Sequence, residues 1–367
     1  MKLLCDVLIV GGGPAGLTAG LLLSKNGFFT VILEKNITVG SKQTGFDITE
    51  GNRINKILDE IGIKPNKISS ISEWFSPNYS FVLDSKIEDF YFKRGSENDS
   101  IENILLKKLT KKNVNVLYNT KIDNINIKKK KVTEITIKSD NEKTTITPKY
   151  VIGADGAESI LRRMLKIESE IFATFKGFGI VLESGKQNII PHAKIYFDNQ
   201  IAPAGYIYSG SVDNKSFICI VIDNIFSEII DLKENLGEFL KQKIKGEIVA
   251  KNYFYGIGTT GIHKNPINNL LLVGGAALFY DPFFGYGLNY AIESAYFASK
   301  AIKENNLEKY EKYSKDIQKE IKEMFFTRKI WRKADNNFYD KLIRTFNGQY
   351  DAKEEDIIRI IELFGEN

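Results

Sequence analysis

Cysteine and histidine are nearly absent, with two of each in 367 residues. Two thiols, Cys5 and Cys219, cannot build a disulfide framework, and two imidazoles without a cysteine cluster leave no zinc-like ligand set. No metal site is expected. A charge excess is missing as well: 51 basic against 46 acidic side chains give a formal +5, and no nucleic-acid motif accompanies it. Basic runs at 107–112 and 128–131 read as solvated turns or helix faces, so no nucleic-acid partner is expected. No stretch approaches the ~18–20 apolar residues that span a bilayer. The residues before Cys5 are too few for the apolar region of a signal peptide. These absences predict a cytoplasmic protein, and any membrane contact is expected to be peripheral. No internal repeat or low-complexity linker stands out. What remains is 43% hydrophobic and 26% charged, which excludes disorder, collagen and coiled coil. At roughly 100–200 residues per domain, the length allows two or three units.

The first forty residues carry the strongest pattern. Residues 5–10, Cys-Asp-Val-Leu-Ile-Val, form the short apolar run of a buried parallel strand. Gly11-Gly12-Gly13-Pro14-Ala15-Gly16 follows and fits G-x-G-x-x-G. Leu17, Leu21 and Leu22 have helical spacing, Asn26-Gly27 stops the helix, and a second apolar strand, 30–33, ends at Glu34. Gly11 permits the tight turn, Gly13 lets backbone approach a pyrophosphate, and Gly16 allows close helix–strand packing. The helix N-terminus, with Pro14 and Ala15 in its first turn, faces the phosphates. Glu34, 18 residues after Gly16, is placed to accept hydrogen bonds from a ribose hydroxyl, with Lys35 beside it. An adenine dinucleotide is expected here. This segment leaves FAD and NAD both open, and no second G-x-G-x-x-G appears.

Two later segments bear on that choice. Tyr150-Val151-Ile152-Gly153-Ala154-Asp155-Gly156 is a strand entering an acidic turn, followed by Ser159 and Arg162-Arg163 on an expected helix. Residues 269–277, Asn-Leu-Leu-Leu-Val-Gly-Gly-Ala-Ala, form another buried strand ending in glycines. It leads to Asp281-Pro282-Phe283-Phe284-Gly285-Tyr286-Gly287-Leu288 and a helix carrying Ala291, Ile292, Ala295 and Ala298. The set resembles the flavoprotein group that includes p-hydroxybenzoate hydroxylase and the geranylgeranyl reductases, over essentially residues 1–310. The resemblance implies FAD, held extended, with its ring near Gly285, Gly287 and Leu288. A helix starting there would aim its positive end at the flavin edge that carries negative charge on reduction. The group's usual Gly-Asp pair, whose acid holds the ribityl chain, is Gly274-Gly275 here. Weaker or slower FAD loading is expected, with a backbone amide or water in the acid's place.

Further matches are similar to the geranylgeranyl reductase branch. Gly40-Ser41-Lys42-Gln43-Thr44-Gly45 looks like its G-x-K-x-C-G segment, with Thr44 where a cysteine sits beside the flavin. Pro203-Ala204-Gly205-Tyr206-Ile207-Tyr208 resembles its substrate-side motif Tyr-x-Trp-x-Phe-Pro, matching at Tyr206; Tyr208 stands for the Trp, and Gly210 and Ser211 for the Phe-Pro. Phe92-Lys93-Arg94 resembles the segment whose arginine reaches FAD from the side, and 115–118 with Thr120 and Ile122 corresponds to backbone lining the adenine. The cofactor-binding set so implied is Gly11, Gly13, Pro14, Ala15, Gly16, Glu34, Lys35, Thr44, Gly45, Arg94, Ile122, Asp155, Gly275, Gly285, Gly287 and Leu288. Tyr206 and Thr44 are the catalytic candidates. Thr44 is a poor acid at neutral pH, so Tyr206 or a bound water is the expected proton source. Tyr206, Tyr208 and Phe217 are the substrate-side candidates, alternatively ordinary aromatics lining a sheet.

The expected architecture is α/β: a discontinuous, Rossmann-like FAD-binding domain (1–50, about 94–165, about 264–310), an antiparallel-sheet substrate domain (51–93 and 166–263), and a helical C-terminal region (311–367). The sheet is expected from a strand at 86–93 and strands within 166–263, with Phe175, Phe178, Tyr196, Tyr206, Tyr208 and Phe217 as pocket candidates that alternation divides between two faces. The run 324–333 mixes aromatics with cations, and Phe338, Tyr339, Leu342, Ile343 and Phe346 follow. These form either an interfacial helix that meets anionic lipid or a helix packed on the catalytic unit. The resemblance implies an FAD-dependent reductase of prenyl double bonds, with NAD(P)H or a ferredoxin-like protein as donor. Two alternatives stand beside it: an FAD monooxygenase acting on an aromatic or apolar substrate, and a flavin- or lipid-binding protein without turnover.

Overall fold

The first two strands are continuous apolar runs because they are buried on both faces, with Val7, Leu8, Ile9, Val10 and all of 30–33 shielded from solvent. The computed structural model describes residues 2–41, 45–49, 52–68, 71–84, 89–109, 113–139, 142–183, 193–212, 215–243, 250–346 and 361. In chain order the elements are β1 (Lys2–Val10), α1 (Pro14–Lys25), β2 (Thr30–Leu33), β3 (Gly45–Thr49), α2 (Asn52–Ile61), β4 (Asn66–Ile68), β5 (Ile71–Phe75), β6 (Ser80–Asp84), β7 (Asp89–Arg94) and α3 (Ile101–Lys108). Then come β8 (Val114–Leu117), β9 (Thr120–Lys128), β10 (Lys131–Ser139), β11 (Glu142–Gly153), α4 (Ile160–Met164), β12 (Glu168–Glu183), β13 (Ala193–Tyr196), β14 (Tyr206–Val212), β15 (Lys215–Asp223), α5 (Leu232–Lys243) and β16 (Ala250–Lys264). The chain ends with β17 (Leu270–Leu272), a 3-10 turn over Gly274–Ala277, α6 (Leu288–Lys303), α7 (Glu308–Trp331) and α8 (Asn336–Phe346).

Three sheets form. In the first, β8, β2, β1, β11 and β17 run parallel in that order, and β10 and β9 extend it antiparallel from β11. Helices α1, α3 and α6 bury Leu17, Leu21, Leu105, Ile292, Ala295 and Ala298 against one face. Ile317 and Ile321 of α7 join the core on the other face. The second sheet is ordered β16-β12-β15-β14-β13-β5-β6 and is antiparallel apart from the parallel β13–β5 pair. The strand expected over 86–93 runs Asp89–Arg94 and pairs instead with β3 and β4 in a small third sheet. The segment before it supplies β5 and β6 to the large sheet in its place. The architecture is thus α/β, with a Rossmann-like parallel sheet, a mostly antiparallel sheet and a helical C-terminal segment.

The C-terminal aromatics pack inward. Tyr339, Leu342, Ile343 and Phe346 of α8, with Trp331 at the end of α7, are buried against Trp74 and Phe81 of the second sheet and Phe197 just after β13. Among the described residues no helix is long and apolar enough to cross a membrane.

Candidate cofactor and substrate site

Strand register gathers the motifs. Val10 lies opposite both Leu33 and Gly153, and Gly153 lies opposite Leu272. Residues following the ends of β1, β2, β11 and β17 therefore share the carboxyl edge of the parallel sheet, where open α/β sheets bind ligands. Gly11–Gly16, Glu34, the Asp155 turn and the Gly274–Ala277 turn stand there together.

Gly11 adopts φ +111°, and a Cβ on it would lie 2.3 Å from the Ala154 carbonyl oxygen. A Cβ on Gly16 would fall 1.9 Å from the Gly11 oxygen, so α1 can start this close to β1 only with glycine at that position. Gly13 is the opposite case, since a Cβ there would meet nothing within 4 Å. It caps α1, and Pro14 occupies the first turn without a side-chain cap or an acid. The result is open space before a positive helix end, the shape a pyrophosphate requires. Glu34 is buried; its Oε2 accepts from the Gly12 N–H at 3.0 Å and its Oε1 from the Asn36 amides at 2.8 and 2.7 Å. Both oxygens keep lone pairs for a further donor. Lys35 is exposed. The Glu34 N–H donates to the Leu117 carbonyl and the Thr120 N–H to the Glu34 carbonyl, which lays the 117–120 backbone alongside the acid. Ile122, further along β9, packs partly buried on the apolar core of the sheet.

Asp155 Oδ2 accepts from the Leu161 N–H at 3.1 Å, while Oδ1 is buried with no hydrogen-bond partner among the described residues. Burial raises the carboxyl's pKa above the ordinary aspartate value, against hydrogen bonds that lower it. An orphaned acceptor at this edge suits a ligand's hydroxyl. Arg162 donates to the carbonyls of Gly275 (3.2 Å), Ala276 (3.0 Å) and Ala157 (2.6 Å), fastening the Asp155 turn to the Gly274–Ala277 turn. Gly274 adopts φ +53°, and a Cβ on it would lie 3.1 Å from Ala291 Cα and 3.5 Å from Ala15 Cβ. The first turns of α1 and α6 therefore converge on one point. Gly287 caps α6, which like α1 has neither a side-chain cap nor an acid in its first turn. Leu288, its first residue, is buried.

The loop before α6 is held from within. Asp281 is buried and its Oδ1 accepts from the Phe283 N–H at 2.9 Å and from the Phe284 N–H. Gly285, at φ +79°, closes the loop by donating to the Asp281 carbonyl at 3.0 Å. Asp281 thus serves the loop's own amides. Sequence reading also missed Arg162 as a clamp and Glu102 as an anchor. Glu102 is buried, and its carboxylate accepts from Arg94 Nε at 2.8 Å and the Gly95 N–H at 3.2 Å. Gly45 pairs directly with Arg94 across β3 and β7, so these two candidates are brought together. Thr44 lies outside the described residues.

The substrate-side candidates share one face. Tyr206 opposes Val221, Tyr208 opposes Cys219 and Gly210 opposes Phe217 in the β14–β15 register. Tyr206, Tyr208 and Phe217 lie in one buried cluster with Trp74, Phe81, Phe283 and Phe284. Phe178 and Tyr196 point to the other face, beneath Leu236, Phe239 and Leu240 of α5. The Tyr206 hydroxyl donates to the Phe284 carbonyl at 2.6 Å, which ties the aromatic face to the loop before α6. Burial pushes that hydroxyl's pKa well above the usual tyrosine value.

Comparison with known proteins agrees with this geometry. Residues 4–309 match the family described as FAD binding domain. The chain is 25% identical to a digeranylgeranylglycerophospholipid reductase of Methanosarcina acetivorans, over 97% of this chain and 88% of that protein. It is 28% identical to a protein of the same name from Thermoplasma volcanium, over 92% and 90%. In fold it is similar to a geranylgeranyl bacteriochlorophyll reductase-like protein from Thermoplasma acidophilum, with TM-score 0.83, 23% identity and coverage of 98% and 96%. It is also similar to p-nitrophenol 4-monooxygenase from Pseudomonas putida, with TM-score 0.76, 19% identity and coverage of 100% and 98%. The open α1 N-terminus, the buried acid at the end of β2 and the orphaned Asp155 oxygen fit that match, and the chain belongs to the FAD binding domain family, with FAD as its cofactor.

Proposed function

We propose that this protein reduces carbon–carbon double bonds of a prenyl, geranylgeranyl-type lipid. The observation that carries the reading is the apolar aromatic face of the second sheet, joined to the loop before α6 by the bond from Tyr206 to Phe284. Apart from a few hydroxyls, the Cys219 thiol and the Trp74 indole, that face offers a substrate only carbon, as a prenyl chain requires. The reductase names of relatives that align along nearly the whole chain support the same substrate class.

Bound FAD supplies the hydride chemistry. Gly11, Gly13, Pro14, Ala15 and Gly16 hold the pyrophosphate; Glu34, with Lys35 at its side, holds the ribose; and the backbone leading to Ile122 lines the adenine. Asp155, Gly275, Gly285, Gly287 and Leu288 flank the rest, with Gly45 and Arg94 alongside, and Thr44 completes the proposed set. The face of Tyr206, Tyr208 and Phe217 holds the substrate and excludes water. Saturating a double bond takes a hydride at one carbon and a proton at the other. Tyr206 is the proposed proton source, with water as its alternative. Delivering that proton requires the bond to Phe284 to open, since the hydroxyl proton rests there.

The electrons come from NAD(P)H or a ferredoxin-like protein, and the lipid is met at a membrane surface by peripheral contact. The test is anaerobic. Chemically reduced protein is mixed with a geranylgeranyl lipid, and flavin reoxidation is followed with product mass. A gain of two hydrogens per double bond supports the reading. Reoxidation only by oxygen, with an aromatic compound hydroxylated, replaces it with the monooxygenase reading that the shared fold allows.

A further inference from the structure

Three glycines from three separate elements enclose one aromatic ring. A Cβ built on Gly275 would lie 3.0 Å from Tyr280 Cε2, one on Gly287 would lie 2.5 Å from Cε1, and one on Gly258 would lie 2.8 Å from Cδ1. Non-bonded carbons rest at about 3.5–4.0 Å, so a side chain at 258 or 287 would collide with the ring, and one at 275 would crowd it and the 156–157 backbone. Gly275 belongs to the turn after β17, Gly287 caps α6 and Gly258 lies on β16. The ring therefore stands where the carboxyl edge of the parallel sheet meets the second sheet. The same Cβ on Gly275 would lie 3.0 Å from the Ala157 nitrogen and 3.2 Å from the Gly156 carbonyl carbon, so the ring reaches the space bordering the Asp155 turn. Its backbone is fixed: the Tyr280 carbonyl accepts from Thr260 Oγ1 at 2.8 Å, and its N–H donates to the Leu278 carbonyl at 3.2 Å.

We infer that Tyr280 is a cofactor-positioning residue. Its ring forms the wall of the FAD site between the Gly274–Ala277 turn and the start of α6, and Gly275 is glycine because that ring occupies the space beside it. The pair holds FAD by packing where a charged side chain at 275 would hold it by hydrogen bonding. The inference rests on FAD as the cofactor and not on the identity of the substrate, so a failed prenyl assay leaves it standing.

The test is FAD binding to purified, FAD-stripped protein, read by flavin fluorescence titration and by the visible spectrum of the bound flavin, with a urea midpoint recorded for each variant. Tyr280→Leu, which keeps an apolar filler for folding, is expected to weaken FAD binding about tenfold and to unquench bound-flavin fluorescence. Gly275→Asp is expected to lose more than that, because the acid meets the ring. Gly275→Asp combined with Tyr280→Gly is expected to bind FAD more tightly than Gly275→Asp alone, a coupling of opposite sign to simple damage. Wild-type FAD affinity in Tyr280→Leu with only a lowered urea midpoint would make the ring a packing element and overturn the inference. So would a double variant no better than Gly275→Asp.

Discussion

Asp223 is the residue through which α7 can be tested against the cofactor edge. It is fully buried, and its Oδ2 accepts from Arg328 Nε (3.0 Å), Arg328 Nη2 (2.9 Å) and Arg332 Nε (2.7 Å). Arg328 is 1% exposed, and burial lowers its pKa while Asp223 raises it. Its Nη1 donates to the Phe283 carbonyl at 3.3 Å, and its guanidinium lies 4.7 Å from the centre of the Phe175 ring. Arg332 is partly exposed and can turn to water; Arg328 cannot. In Asp223→Ala, Arg328 keeps one long bond to a neutral carbonyl and one ring contact, neither of which neutralises a buried cation. Removing one partner of such a pair costs about 3–5 kcal/mol, a large share of the ~5–15 kcal/mol that holds a domain folded. Replacing both partners by apolar groups, Asp223→Leu with Arg328→Met, removes the stranded charge and is expected to cost less than Asp223→Ala alone. The assay is urea unfolding at fixed, saturating FAD, which holds ligand linkage constant. An Asp223→Ala loss below about 1 kcal/mol, or a double variant that loses more than the single one, would refute the reasoning.

Three further outcomes follow from distances in the site. Gly16→Val places a branched side chain where even a Cβ lies 1.9 Å from the Gly11 oxygen, so the purified variant is expected to carry no FAD, read by visible absorbance per chain. Tyr206→Phe leaves the buried Phe284 carbonyl without its donor, at a cost of about 1–3 kcal/mol in urea unfolding. It is also expected to slow lipid reduction while leaving the bound-flavin spectrum unchanged, and unchanged turnover would remove Tyr206 as proton source. His263 has its pKa lowered from 6.5 to about 4, first by burial and then by the Arg162 charge, so it is neutral in the folded protein. The unfolded chain takes up that proton first, so the stabilising contribution is complete above pH 6.5 and is lost as pH falls toward 4. Between pH 8 and 5 the wild type is expected to lose about 2 kcal/mol more than His263→Gln, and equal losses would contradict the assignment.

The parts of the site legible in the sequence were those whose chemistry is local. Gly11, Gly13 and Gly16, the acid at 34 and the turn at 155 each follow a strand end, and strand ends were readable as apolar runs. Register then brought them to one edge, as doubly wound topology requires. The strand at 71–75 was missed because Ile-Ser-Glu-Trp-Phe buries only Trp74 fully, which weakens its alternation; its hairpin with β6 is local, but its second partner, β13, lies more than a hundred residues away. The strand at 89–94 was visible as a strand, but its pairing with β3 and β4 had no local sign. Arg162, Glu102 and Tyr280 were hidden for a common reason: each acts on a backbone or glycine that only the folded chain brings beside it, and a glycine looks the same whether it frees a turn or yields space to a ring.

The C-terminal run 324–333 shows how burial divides an ambiguous pattern. Its cations and aromatics suited a lipid surface or a packed helix equally well in sequence. In the fold, Phe325 stacks on Phe172 at 4.7 Å, Arg328 faces Asp223, and Trp331 lies edge-on to Phe283 at 4.9 Å, while Phe326 and Lys329 remain outside. These inward contacts recur at spacings of three, which sets one helix face on the loop before α6. Trp331 and Arg328 both touch Phe283, and Phe283 and its neighbour Phe284 donate to Asp281 in the same loop that accepts the Tyr206 proton. The last helices and the aromatic face thus hold that loop from two sides. A change at the C-terminal end of α7, over 325–331, is therefore expected to register at the cofactor before it registers in the parallel sheet, which the earlier turns with Ile317 and Ile321 contact directly.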